Sequence, residues 1–362
     1  MGSSVPCRKE ILTALSAIPV GARVFVCGHT RPDGDAIGST LALVRALELR
    51  GIEASAVLAD NAKRAPTPYH WMTGCENYLR PDQLTGQKAD VFIALDTPDF
   101  TRINEAGELL KAAKLSIIID HHPPLPESYA DLRYVEEDAS ATGKIVWSLL
   151  GDLGWTRDKD VATACYVATI SDTGSFQFSN TTKQAFTAVA EMIDAGANPT
   201  KIAQQLYNQK PIAALHLEGR ILSRAKLLNG GAVVHSYLSD ADLQELGVEI
   251  DYTENLIDLI RSTRNTDVAL FITESSKGPR LSLRSDGRFD VSEVARQFGG
   301  GGHRPAAGIT WPDKTASLEQ ILDELLPMLP MRDEEIEVTH NKEWKIVDMP
   351  ATEKTEEDAF EI

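Results

Sequence analysis

The sequence predicts an α/β protein: an N-terminal doubly wound, mainly parallel sheet, followed by a smaller C-terminal α+β domain. Three observations lead there. Short apolar, β-branched runs alternate with helical patterns through the first half, the order that strand–helix–strand units require. Several of those runs end in chemically capable residues, His29, Asp96 and Asp120. A second set of strand-like runs begins near Gly231, after a long helical stretch, without that regular alternation.

Taken in order, "RVFVCG" (23–28) reads as a buried strand, and "AIGSTLALVRALELRG" (36–51) as the helix after it. "EASAVLAD" (53–60), "ADVFIALD" (89–96) and "LSIIID" (115–120) are further strands. The last two are almost wholly apolar, as strands covered on both faces are. "ATGKIVWSLLGDLG" and "VATACYVATISD" read as helices, and a helical stretch over about 183–230 leads to the second unit. That unit holds "GAVVHSYL", a helix near 253–262, "DVALFITES", "GPRLSLRS" and "DVSEVARQFGGGGHRPAAGITW". The expected organisation is a first domain over 1–200, a helical linker over 201–229, a second domain over 230–330 and an acidic tail over 331–362.

A length of 362 residues suits two domains. The net charge of −17 argues against a protein that coats nucleic acid. The charge is uneven, however. Residues 331–362 carry a net −7, whereas residues 261–304 carry a net +3, a candidate location for a small anionic ligand. The four cysteines, Cys7, Cys27, Cys75 and Cys165, show no CxxC spacing, which argues against a zinc knuckle. Cys27 and Cys165 lie in apolar runs and read as buried small hydrophobes. No apolar run approaches the ~20 residues that span a bilayer, and the N-terminus lacks the long apolar core of a signal peptide. The expectation is a protein of the reducing cytoplasm with no membrane partner.

Five motifs carry chemistry. "GHTRPDGDAIGS" (28–39) follows a strand and opens a helix, so one loop can aim His29, Asp33 and Asp35 into one site. Gly34 is read as permitting the tight turn between the two acids. Taken alone, Asp35 could be no more than a helix N-cap. Asp96 ends a buried strand in "IALDTPDF". "IIIDHHPPLP" (117–126) runs from a buried strand into Asp120, His121 and His122, then into prolines that stop the strand. "ATISDTGSFQF" (168–178) places Asp172 after an apolar run. Each piece is weak alone; together they gather five acids and three histidines at element ends. Open α/β sheets place their ligands there. That many carboxylates in one crevice repel one another, and divalent cations remove the repulsion. Mixed carboxylate and imidazole donors suit Mn²⁺, with Mg²⁺ or Co²⁺ as alternatives. Two such ions ~3.5–4 Å apart are the arrangement for displacement at phosphorus. The fifth motif, "QFGGGGHRPAAG" (297–308), reads as an ordered loop whose backbone N–H groups can approach an anion, with His303 beside it. Arg284 sits in a strand of the same unit, and Arg264 and Arg280 lie near it in sequence, a candidate phosphate clamp.

In order and spacing these motifs resemble the DHH phosphoesterase superfamily, named for its Asp-His-His triplet, and "GGGGHRPAAG" resembles the signature of the DHH-associated C-terminal domain. Within it, the size and short linker are most similar to the oligoribonuclease and 3′-phosphoadenosine 5′-phosphate (pAp) phosphatase branch. The resemblance implies that His29, Asp33 and Asp96 hold one metal, and Asp35, Asp96, His121 and Asp172 the other. It implies that Asp120 orients His121 and that His122 contacts the scissile phosphate or aids proton transfer. Arg284, Gly300, Gly301, Gly302 and His303, with Arg264 nearby, would grip the nucleotide end. The implied reaction is metal-dependent hydrolysis of short single-stranded RNA to 5′-mononucleotides and of pAp to AMP and phosphate, and homodimers are implied as well. The alternatives are a cyclic-dinucleotide phosphodiesterase acting on c-di-AMP or pApA and, outside the enzymes, a metal-poor nucleotide-binding regulatory module. The acidic tail departs from the family pattern.

Overall fold

Five short strands with few polar side chains form the first sheet of this computed structural model, which describes residues 8–97, 99–124, 128–253, 256–275 and 278–332. They are β1 (Arg23–Cys27), β2 (Glu53–Val57), β3 (Val91–Leu95), β4 (Leu115–Asp120) and β5 (Leu132–Val135). All pair in parallel, in the order β2-β1-β3-β4-β5. The reason β1, β3 and β4 lack polar alternation is visible in the core. Val24, Val26, Ile93, Leu95, Ile117 and Ile119 enter one apolar cluster, while Phe25, Cys27, Phe92, Ala94 and Ile118 enter another on the opposite face. Both faces are therefore covered, as the α/β expectation requires.

The first cluster is closed by α1 (Arg8–Ser16), α2 (Gly34–Glu48), α4 (Thr142–Asp152) and α5 (Lys159–Asp172), the second by α3 (Gly107–Ala112) and the 3-10 helix Phe100–Ala106. Helices α6 (Lys183–Asp194), α7 (Pro199–Tyr207) and α8 (Ile212–Ser223) fill the connecting stretch. Ile202 of α7 is buried in the first core, whereas Leu217 and Ile221 of α8 are buried in the second unit. The chain thus changes core between Tyr207 and Ile212.

The second sheet is mixed, in the order β10-β11-β9-β8-β7-β6. Its strands are β6 (Lys226–Leu228), β7 (Val233–Leu238), β8 (Val268–Thr273), β9 (Arg280–Ser285), β10 (Gly301–His303) and β11 (Ala306–Thr310). Helices α9 (Asp240–Leu246), α10 (Leu256–Arg261), α11 (Val291–Gln297) and α12 (Leu318–Leu325) pack on it. The glycine run, expected as a loop, is a hairpin strand. A Cβ on Gly300 would lie 2.2 Å from the Gly308 carbonyl oxygen, and one on Gly302 2.4 Å from that of Ala306. These two glycines let backbones approach within the hairpin, and the Gly300 N–H is already bonded to Ala295 O at 2.8 Å.

The two units touch at both sides of a cleft. Arg64 pairs with Glu249 at 2.8 Å, the Thr67 N–H donates to Asp251 at 2.9 Å, and Arg261 lies 4.5 Å over the Phe178 ring. Cys27, Cys75 and Cys165 are free and buried, as two of them were expected to be. Cys7 and the tail from residue 333 lie outside the described residues. Among the described residues no helix is long and apolar enough to cross a membrane.

Candidate metal centre

The order of the first sheet reverses between β2 and β3 around β1, and such a switch point opens a crevice at the carboxyl ends of the strands. His29 follows β1, Asp96 follows β3, and Asp120 ends β4 with His121 and His122 after it. The topology alone brings three of the sequence motifs together.

Helix packing adds the rest. Asp33 is the N-cap of α2; its Oδ1 accepts from the N–H groups of Asp35 and Ala36 at 3.0 Å, and its Oδ2 faces His29 Nε2 at 3.5 Å. The capping role considered for Asp35 thus belongs to Asp33. Asp35, one per cent exposed, accepts from the N–H groups of Thr142 at 2.6 Å and Gly143 at 2.8 Å, the first turn of α4. Gly34 also differs from its expected role. A Cβ there would lie 2.4 Å from Ser171 Oγ, so its absence lets α2 approach α5 beside Asp172. Likewise a Cβ on Gly143 would lie 2.2 Å from that of Ala168. Close helix contact, more than turn geometry, sets these positions.

Asp96 lies at the centre. It takes a left-handed conformation, φ 57°, which Asp tolerates better than bulky residues do. Its Oδ2 faces His29 Nε2 at 3.5 Å, and its Oδ1 faces His121 Nε2 at 3.5 Å. Asp35 Oδ2 and Asp172 Oδ2 lie 3.8 and 3.6 Å from the same His121 nitrogen. Thr142 Oγ1 donates to Asp96 Oδ1 at 3.2 Å. After Asp172 the chain passes through three left-handed residues, Gly174, Ser175 and Phe176. The turn brings Asn180 back, so that its Nδ2 donates to Asp172 Oδ2 at 3.2 Å and to Asp172 O at 3.1 Å. Among the described residues four donor groups result, His29–Asp33–Asp96, Asp35–Asp96–His121, Asp96–Asp120–His122 and His121–His122–His303, the ligand atoms of each lying within 4.8 Å of one another.

The donor chemistry fits cations. The His29 Nδ1 faces the Thr30 carbonyl at 2.9 Å and the His121 Nδ1 faces that of Ala139 at 3.2 Å. A carbonyl only accepts, so Nδ1 carries hydrogen in both rings and Nε2 of each is left to point at the carboxylates. His121 Nε2 is buried with no hydrogen-bond partner. Carboxylates pressing on such a nitrogen favour a positive charge there. Burial lowers the His29 pKa and so does the Arg102 charge, yet Asp33 and Asp96 carry it up to about 9. Burial likewise opposes, and Asp96 and Asp172 outweigh it at, His121, which is raised. Burial first, then the Asp96 charge, raises Asp35 well above the carboxylate range, and burial pushes Asp172 up to about 6 against the pull of His121. Asp96, despite its burial, is held well below that range by the imidazoles on either side. A metal ion competes for these sites with the proton.

One implied role differs. Asp120 Oδ1 accepts from the His121 backbone N–H at 2.7 Å, but the ring it holds is that of His122, through Nδ1 at 2.9 Å. The His121 ring is oriented by the Ala139 carbonyl instead, because its Nδ1 points away from β4 toward the segment after β5. His303 crosses from the second unit and stacks on His122 with ring centroids 4.8 Å apart. Burial, then the charges of His122 and His121, push His303 down to about 4. Arg284 lies half-buried on β9, paired in register with Ala306 of β11, three residues from His303. Arg264 is exposed in the turn before β8, and Gly301 is exposed on β10. Thr142, Gly143 and Asn180 went unmarked by motif; the helix start at "ATG" was the only signal for the first two.

Comparison with known proteins places the chain in a family. The DHH family, N-terminal domain, matches residues 23–169, and the DHHA1 domain matches residues 230–328. The bifunctional oligoribonuclease and PAP phosphatase NrnA of Thermus thermophilus is 31% identical over 303 residues, 84% of this chain and 88% of that protein. The cyclic-di-AMP phosphodiesterase PdeA of Listeria monocytogenes is 26% identical over 81% of this chain but only 45% of its own length. The fold is shared with an exopolyphosphatase-related protein from Bacteroides fragilis, at TM-score 0.80 and 24% identity, over 90% of this chain and 98% of that one. The crevice, the Asp-His-His triplet at its strand end and these matches lead to one conclusion: the chain belongs to the DHH family and carries a DHHA1 domain after its DHH domain.

Proposed function

We propose that the chain is a divalent-cation-dependent phosphoester hydrolase that cuts short oligoribonucleotides to 5′-mononucleotides and converts pAp to AMP and phosphate. The observation that carries this reading is Asp96, whose two oxygens each face a different imidazole at 3.5 Å in a crevice with more acid than base. His29, Asp33 and Asp96 would hold one cation, and Asp35, Asp96, His121 and Asp172 the other. Bound there, Mn²⁺, or alternatively Mg²⁺ or Co²⁺, would neutralise the non-bridging phosphate oxygens and acidify the attacking water.

The chain's own residues do the positioning. Asp35 is pinned by the first turn of α4, Asp96 by Thr142 and Asp172 by Asn180. Asp120 takes the Nδ1 side of His122, which leaves Nε2 to contact the scissile phosphate and pass a proton to the leaving 3′ oxygen. In this reading residues 1–200 carry the chemistry, residues 201–229 connect, and residues 230–330 grip the nucleotide end through Arg284, Gly300–Gly302 and His303, with Arg264 at the periphery. A clamp on one end favours short substrates. The names of the NrnA relatives support the oligoribonuclease and pAp assignment. PdeA supports a second reading, a cyclic-dinucleotide phosphodiesterase, through the same crevice.

The test is hydrolysis with Mn²⁺, comparing pApA, a five-nucleotide RNA, a long RNA, pAp, c-di-AMP and pyrophosphate, with Asp120→Ala as control. Turnover of short RNA and of pAp, lost in the control, is the expected result. Dominant c-di-AMP turnover favours the second reading, and no turnover of any substrate rejects both.

A further inference from the structure

Two arginines beside the crevice stand outside every role described so far. Arg31 lies between His29 and Asp33, and Arg102 lies six residues beyond Asp96. Their segments are tied together, because the Thr30 N–H donates to the Arg102 carbonyl at 2.8 Å. Among the described residues neither guanidinium makes a hydrogen bond or an ion pair within 4.0 Å. Elsewhere in the same domain Arg8, Arg45, Arg64 and Arg80 each pair with a carboxylate.

Arg31 lies in the loop that leads from His29 to Asp33, and the Thr30–Arg102 bond holds the start of the helical turn Phe100–Ala106 against that loop. Arg31 also holds a left-handed backbone, φ 51°, unfavourable for a long side chain. Two arginines on linked segments, neither with a carboxylate partner among the described residues, are free to take the charge-assisted contacts of an arriving anion. A chain of net charge −17 that admits a polyanion has particular need of such cations at the entrance.

Their place fixes which anion. His303, from the DHHA1 domain, meets the crevice at His121 and His122, whereas the linked segments of Arg31 and Arg102 adjoin His29, across Asp96 from those rings. A strand held at one end by the DHHA1 domain, with its scissile phosphate over the acids, runs on toward the arginines. We propose that Arg31 and Arg102 form a phosphate subsite that takes the phosphodiester next to the scissile one, on the His29 side of Asp96, away from His303. This rests on the phosphodiesterase reading above. It makes a trinucleotide a better substrate than a dinucleotide.

The experiment compares ApApA with ApA, both without terminal phosphates, so that only the trinucleotide carries a second phosphodiester whichever end is gripped. Wild type should favour ApApA by about tenfold in kcat/KM, the effect of losing a charge-assisted contact. The double variant Arg31→Gln/Arg102→Gln should lose at least about tenfold more on ApApA than on ApA, and the Lys pair should recover part of the difference. Equal losses on both substrates, or an undiminished preference, would overturn the subsite. Calorimetric binding of ApApA and ApA with Mn²⁺ separates the two claims. If wild type hydrolyses neither, the hydrolase reading fails, and the binding preference and its loss in the variant still decide the subsite. The single Gln variants replace the double one if its melting temperature shows that it does not fold.

Discussion

On the N-terminal side of the cleft, each acid is committed to the backbone or to a side-chain donor before it faces the crevice. Asp33 caps α2, Asp35 binds the first turn of α4, Asp120 binds two consecutive N–H groups, and Thr142 and Asn180 hold Asp96 and Asp172. On the C-terminal side the corresponding segment is a short hairpin whose glycines serve backbone contact and which offers one imidazole to the cleft. The first region is a rigid constellation built within one domain. The second depends on where its domain sits, and thus on the contacts of Arg64 with Glu249 and of Phe178 with Arg261. In the proposed function, chemistry falls to the preorganised side and substrate choice to the DHHA1 side, a division consistent with the general need to hold reacting groups tightly.

The largest effect should come from breaking the shared residue. Asp96→Asn removes the charge between His29 and His121, and hydrolysis of short RNA in steady-state assays should fall by about 10³-fold or more. The C-terminal domain should break differently. Asp242, 2% exposed, accepts from Arg224 at 2.6 and 2.8 Å and from Arg220 at 3.0 Å, and it closes the capping box of α9. Asp242→Asn should cost about 3 kcal/mol of stability, read from denaturant or thermal unfolding, while Mn²⁺ affinity stays at its wild-type value. Arg224 above all holds the Asp242 carboxyl well below the usual range. Its contribution is therefore complete above an unfolded pKa of about 4 and fades as pH falls toward the folded value, so wild type and variant should converge in acid.

Second-layer contacts should have smaller effects. Thr142→Val deletes the bond to Asp96 but keeps the shape, and Mn²⁺ affinity by titration should weaken about 10–100-fold. The smallest contrast tests the hairpin. Gly302 has φ 142° and a carbonyl 2.4 Å from where its Cβ would stand, whereas nothing lies within 4 Å at Gly301. Gly302→Ala should destabilise by about 1–3 kcal/mol and Gly301→Ala by less than about 0.5 kcal/mol. Equal costs at the two positions would contradict the packing role assigned to Gly302.

The legible parts were those whose cause is local. The apolar runs of β1, β3 and β4 follow from burial on both faces, and the polar residues that end them mark the crevice. β5 was missed because its "LRYV" is only partly buried and shows no clear pattern. α9 was missed because seven residues give little periodicity, and β10 because glycine carries no side-chain pattern. In the site, the acids and histidines stood out as clusters. The residues that hold them did not, since Thr142 meets Asp35 and Asp96 only after α4 packs on α2. The ring held by Asp120 depends on rotamers, which spacing does not encode.

In the proposed function Asp96 joins two cation sites. Mn²⁺ titrated into metal-stripped wild type and Asp96→Asn, with bound metal counted per chain, is the decisive measurement. Two ions in the wild type and at most one in the variant is the predicted result. No bound metal in the wild type, or two ions retained by Asp96→Asn, would contradict it.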